Sequence, residues 1–182
     1  MRYYYDTEFH EDGKTIDFIS IGILAEDGRE YYAVSNEFDT RRVAQNNWLM
    51  ENVMTSIDHD SFVVADGEGI PLIRDIYVTD PAAKSRAEIA QDILDFVGLD
   101  DYAELWAWYS AYDHVCLAQL FGKMINMPNR LPFQTDDIKT LVKLARVQPN
   151  HLPRQPEGLH NALADAKHNK VRYDFLMGVL SG

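Results

Sequence analysis

Cysteine is nearly absent: Cys116 is the one cysteine in 182 residues, which excludes an intrachain disulfide and fits a reducing, cytoplasmic setting. By itself Cys116 reads as a small buried apolar residue. No apolar run approaches the ~20 residues of a membrane span, and the basic and apolar regions of a signal peptide are missing, so no membrane partner is expected. Scattered histidines and a lone cysteine lack the ligand spacings of a zinc site. Internal repeats and low-complexity tracts are absent as well. Cations are scarce, with 17 Lys and Arg against 29 Asp and Glu, for a net charge of −12. That balance argues against salt-driven binding of duplex along a wide basic groove. It does not exclude phosphate chemistry, because divalent cations can neutralise both partners locally. A nucleic-acid substrate would then be gripped over a few nucleotides.

What is present is a globular composition and enough length for one domain with a sizeable core, taken as 1–182. Arg2–Tyr5 predicts a first strand, with an acidic turn from Asp6 to Lys14. Asp17–Leu24 is a continuous apolar run and so a central strand. Arg29–Ser35 predicts a third strand, joined to the second by the "AEDG" turn as a hairpin. Asp39-Thr40 signals a helix start, and Val43, Leu49, Val53 and Ile57 give it a loose apolar face. Residues 58–82 read mostly as loop. Ala82–Val97 predicts a helix stopped by Gly98, from the spacing of Ile89, Ile93 and Phe96. Glu104–Tyr109 follows as a strand, Asp113–Lys123 as a helix and Met124–Phe133 as a loop. Thr135-Asp136-Asp137 caps a helix to about Val147, and Asn161–Val179 is a long final helix. Strands first and mixed units after them imply an α/β domain with a mixed sheet.

Chemistry concentrates in three places. "DTEF" sets Asp6 and Glu8 two residues apart, hence on one side of an extended chain. Like charges held together cost free energy unless a cation lies between them. Asp113 sits at a strand-to-helix junction in "AYDHVCL". His160 precedes Asp165 by five residues in "HNALADA", at the start of the final helix. Singly, each has an ordinary reading as a solvated turn, a cap or a surface residue. Together, four carboxylates suit hard divalent ions with oxygen ligands. A pair of such ions can activate water and stabilise a leaving oxygen, and a histidine can serve as general base near neutral pH.

In this order the motifs resemble the DEDDh group of 3′–5′ exonucleases, which have a ribonuclease H-like fold with a mixed central sheet flanked by helices. More narrowly, the compact length, "NNWLMENV" and "EGLHNALADAKHN" look like small actinobacterial, mycobacterial-type exoribonucleases related to ribonuclease T. The resemblance implies that Asp6, Glu8, Asp113 and Asp165 hold two Mg²⁺ or Mn²⁺ ions and that His160 is the general base. It implies RNA 3′ ends as substrate, nucleoside 5′-monophosphates as product, and homodimerisation. One departure stands out: many relatives carry a His-Asn pair before the second motif's Asp, where this sequence has Trp108 and Tyr109. That puts the grip on the scissile phosphate in question.

Further candidates for substrate contact are Thr7, Phe9 beside Glu8, Trp48, Tyr109 and Arg154. Trp48 is equally readable as an interface or core residue, and Trp106 and Trp108 as core. Lys167 and His168 read as exposed helix residues, His114 as diverging from the site, and Asp136 and Asp137 as caps. Two other readings stay open: a proofreading-type DNA 3′–5′ exonuclease, and a non-catalytic nucleic-acid-binding module on the same fold.

Overall fold

The computed structural model describes residues 1–57, 82–98, 100 and 102–182. A six-stranded mixed sheet forms its centre, with β1 (Arg2–Glu11), β2 (Ile16–Ala25), β3 (Glu30–Ser35), β4 (Ala83–Lys84), β5 (Glu104–Ala107) and β6 (Asp136–Asp137). Its order is β4-β3-β2-β1-β5-β6. The first three strands form the antiparallel meander expected from the sequence, whereas β5 runs parallel to β1, β6 to β5 and β4 to β3.

The first strand does not stop at Tyr5. It continues to Glu11, so Asp6 and Glu8 lie inside a central strand and not in a turn. Acids are poor strand formers alone, yet β2 pairs with this strand from Tyr3 to Glu11 and carries it through. The register shifts between Glu8 and Phe9, where Glu8 opposes Ser20 and Phe9 opposes Phe18, leaving Ile19 as the extra residue of a bulge on β2. Such a bulge bends the pair and commonly lies beside functional groups.

Alternation along β1 sorts its tyrosines between two layers. Tyr3 and Tyr5 pack with Ile21, Ile23 and Leu105 against helices α3 (Arg86–Val97) and α4 (Ala111–Leu120). Tyr4 faces the other way, against α5 (Ile138–Ala145) and α6 (Ala162–Ser181), where its ring meets Tyr173 at 5.2 Å. Cys116 is fully buried in the first layer, as its sequence context suggested. A third cluster gathers Ile19, Val34, Val43, Leu49, Val53 and Ile57.

Val43, Leu49, Val53 and Ile57 of that set come from a helical segment broken into α1 (Thr40–Ala44), α2 (Asn47–Asn52) and a 3₁₀ turn at Met54–Ser56. Asn46 breaks it, since its side chain caps α2 by accepting from the Leu49 N–H. The helix expected over Ala82–Val97 begins later, because Ser85 and Glu88 form a capping box at Arg86 and Ala83–Lys84 pairs with β3. Glu104–Tyr109 also shortens, to Ala107. The loop expected over residues 58–82 lies outside the described residues, apart from Ala82. No helix among the described residues is long and apolar enough to cross a membrane.

Gly22 on β2 sets the height of α6 over the sheet. It pairs with Asp6, and a Cβ at this position would lie 2.2 Å from the Leu163 nitrogen and 2.3 Å from the Ala162 carbonyl carbon. Only a residue without a side chain lets the start of α6 descend this close to β2.

Candidate active site

Asp6, Glu8, Asp113, His160 and Asp165 line one cavity of about 290 Å³. β1 supplies Asp6 and Glu8. α4 supplies Asp113, which is anchored to the strand because the Thr7 N–H and hydroxyl both donate to its Oδ1, at 2.9 and 2.7 Å. α6 and the turn before it supply Asp165 and His160. Asn169, one turn beyond Asp165, is buried and donates to the Tyr5 carbonyl at 3.0 Å, tying α6 to β1.

His160 has a φ of 64°, a left-handed conformation uncommon for a residue with a side chain. Its backbone is held from both ends. The His160 N–H donates to Asp165 Oδ2 at 2.8 Å, and the Ser56 hydroxyl donates to the His160 carbonyl at 2.6 Å. Asn161 caps α6 and also donates to the Ser56 carbonyl at 3.2 Å. The His160 ring meets the Trp48 ring edge-on, with centroids 4.9 Å apart. Tyr109, at φ 60°, lines the same cavity. Strain of this kind gathers where function over-determines the backbone.

The acids repel one another in a poorly solvated place. Burial, then Asp113, Glu8 and Asp165, push the Asp6 carboxyl well above the usual carboxylate range. Glu8 is pushed up to about 9, by burial first and then by Asp165 and Asp113. Asp113 rises to about 7 through burial, against the downward pull of its Thr7 hydrogen bonds. Burial also raises Asp165, offset by the nearby Gln155 amide and by the hydrogen bond from the His160 N–H. Single ligand atoms of Glu8, His160 and Asp165 all lie within 4.8 Å of one another. Clustered carboxylates that cannot all ionise alone, beside an imidazole, fit a hard divalent cation as the missing counter-charge.

The remaining candidates separate clearly. Thr7 lines the cavity, but its hydroxyl is committed to Asp113. Phe9 lines it and stacks on Tyr112, with centroids 5.8 Å apart and planes 10° from parallel. Trp48 is 53 % exposed, so it is not a core residue. Arg154 is exposed and lies outside the cavity lining. Among the described residues the cation that does line the cavity is Arg172, which is not among the sequence candidates; its guanidinium sits 4.2 Å from the Trp108 ring centroid. Burial lowers its pKa, against the attraction of Asp165 and Asp6. A signal for it existed: Asp165, Asn169 and Arg172 follow the i, i+4, i+7 spacing of one helix face. Trp108 is therefore partly a cavity wall and not simply core.

Lys167 pairs with Glu30 at 2.8 Å, and His114 turns to Thr135 at 3.0 Å. His168, expected on an exposed face, is buried, with Nε2 3.1 Å from the Pro153 carbonyl oxygen. Asp137 caps α5 and accepts from the Tyr109 N–H at 3.2 Å, which fixes the turn after β5.

A mixed sheet flanked by helices, with the acids of its central strand facing the first turn of the last helix, is a ribonuclease H-like fold. A family model described as the 3'-5' exoribonuclease Rv2179c-like domain matches residues 71–177, a span that contains Asp113, His160 and Asp165. Two curated Mycobacterium tuberculosis proteins are similar to the chain: 3'-5' exoribonuclease Rv2179c of strain H37Rv and 3'-5' exoribonuclease MT2234.1 of strain CDC 1551. Each is 41% identical over 175 residues, covering 95% of this chain and 91% of the relative. The chain belongs to the Rv2179c-like 3'-5' exoribonuclease family.

Proposed function

We propose that the chain is a metal-dependent 3′–5′ exoribonuclease that releases nucleoside 5′-monophosphates from RNA 3′ ends, single-stranded or overhanging. The convergence of Asp6, Glu8, Asp113, His160 and Asp165 on one cavity carries the reading, and the names of the mycobacterial relatives support its direction. The four carboxylates would hold two divalent ions, Mg²⁺ or Mn²⁺, which when bound supply positive charge at the scissile phosphate and leaving oxygen and acidify water.

The chain's own groups divide the remaining work. A ring nitrogen of His160 takes the proton of the attacking water, with the ring held by Trp48 and the backbone by Asp165 and Ser56. Arg172 faces the same cavity as a fixed cation for a phosphate oxygen, in the neighbourhood where the family's His-Asn pair is replaced by Trp108 and Tyr109. The Phe9–Tyr112 stack offers an aromatic surface to the terminal base.

The test is 3′ trimming of labelled RNA and matched DNA oligomers with Mg²⁺ against Mn²⁺. Glu8→Gln and Asp165→Asn are expected to lower the rate at least ~10²-fold without loss of fold, and a 3′-blocked RNA is expected to resist. Full activity in either variant would remove the assignment. His160→Ala is expected to slow turnover far more than it weakens metal binding; equal loss of both would make His160 a ligand instead of a base.

A further inference from the structure

Two more cavities follow in sequence from the catalytic one. The first, about 360 Å³, shares Glu8 and Phe9 with it and extends past Trp48 to Asn46. The second, about 480 Å³, shares Asn46 with the first and is lined by His10, Asp12, Arg42, Gln45 and Asn47. Shared lining residues set the three cavities in succession along the outgoing half of β1. Their far end lies two residues beyond Glu8, roughly 7 Å of extended chain, a distance on the scale of a nucleotide.

The far cavity is rich in donors, in a molecule whose charge is −12. His10 is 9 % exposed, and among the described residues its Nδ1 has no hydrogen-bond partner. Asn46 uses its side-chain oxygen to cap α2, leaving its amide nitrogen to donate. Gln45 and Asn47 add two more amides. The one acid among the described lining residues, Asp12, is already satisfied: Oδ1 accepts from the Lys14 and Thr15 N–H groups and the Thr15 hydroxyl, and Oδ2 accepts from Arg42 at 2.6 Å. Arg42 keeps further N–H groups beyond that bond. Asp39 caps α1 and its own N–H donates to Asp17 at 2.8 Å, so the base of Arg42's helix is fixed to β2 beside His10.

Resting on the exoribonuclease reading, we propose that this cavity is a phosphate subsite for the RNA strand upstream of the scissile bond, with Arg42, His10 and the amides of Asn46 and Asn47 donating to non-bridging oxygens. The strand would run from the catalytic cavity over Phe9 and past Trp48 to Arg42. The subsite lengthens the grip on single-stranded RNA without a basic face.

Arg42→Gln is the primary variant, because a surface pair with Asp12 contributes little to folding; Asn47→Ala is the second. Both are compared with the unaltered chain on RNAs of two to seven nucleotides. The expected result is a KM raised several-fold on the longer RNAs, with kcat and the dinucleotide kcat/KM unchanged. A neutral methylphosphonate at the upstream linkage should raise KM in the unaltered chain and not in Arg42→Gln. A binding arm reads the same contact without turnover, in an Asp165→Asn background that leaves the RNA intact. There, the slope of log affinity against log salt should shrink by about 0.7 on losing one phosphate contact. Equal KM at every length, or an unchanged slope, would overturn the subsite. So would equal losses on the dinucleotide, which would mark general damage to the site. If the unaltered chain trims no RNA, the catalytic reading fails, and the binding arm still decides the subsite.

Discussion

Arg172 is a half-buried guanidinium whose ordinary pKa is lowered by burial and held up by Asp165 and Asp6. On the proposed reading it would do two things in the same place: relieve repulsion among the acids, and offer a cation to an incoming phosphate. Those roles predict a loss in each of two assays on Arg172→Met. Trimming should fall about ten- to a hundred-fold through loss of one charge-assisted contact, worth roughly 1.5–3 kcal/mol. Metal-free thermal stability should fall too, because the remaining carboxylates lose their internal counter-charge. Added Mg²⁺ should restore stability in the variant more than activity. Unchanged kinetics with an unchanged melting temperature would leave Arg172 a bystander stacked on Trp108.

Among the elements, α6 matters most, and Gly22 governs where it sits. Gly22→Ala would put a methyl group 2.2 Å from the Leu163 nitrogen, so the first turn of α6 must lift. Overpacking of this kind costs about 1–3 kcal/mol, and the turn that lifts carries both His160 and Asp165. The expected result is a melting temperature lower by several degrees together with a loss of trimming out of proportion to it. Calorimetry and kinetics on the same sample check this. The period-two rule in β1 made Asp6 and Glu8 legible as one pair, and the final helix was legible from its cap and length. The length of β1 was not, because acids argue locally against strand and only pairing with β2 overrides them. The break between α1 and α2 was hidden for a related reason: Asn46 acts through a side-chain bond to Leu49 that periodicity does not register. His168 looked exposed because its cover, the Pro153 carbonyl, comes from a loop fifteen residues away.

Over the whole molecule, the acid cluster makes stability depend on pH and on cations together. Glu8 at about 9 and Asp113 at about 7 lie above the values these groups have in an unfolded chain. The folded state thus binds protons that the unfolded state has already released, and stability falls as pH rises. The contribution is complete below about pH 4 and is lost progressively as pH passes through 7 and 9. Metal-free protein should therefore melt higher at pH 5.5 than at pH 8.5. Mg²⁺ or Mn²⁺ should raise the melting temperature strongly at pH 8.5 and little at pH 5.5, where protons occupy the same oxygens. A metal-free profile that is flat or rises over this range would show that the carboxylates do not share one poorly solvated cavity.

Asp6 and His160 come from opposite ends of the chain, joined only when α6 settles onto Gly22 and Asn169 reaches Tyr5. Synthesis runs from the amino end, so the strand acids leave the ribosome long before their partners exist. A nascent chain lacking residues 160–182 has Asp6, Glu8 and Asp113 but neither His160 nor Asp165, so the cavity is not assembled. For an enzyme of the proposed kind this is a safeguard in time: it stays inert beside the messenger and ribosomal RNA that produce it. On the same reading, chains released before residue 160 are expected to be inert as well.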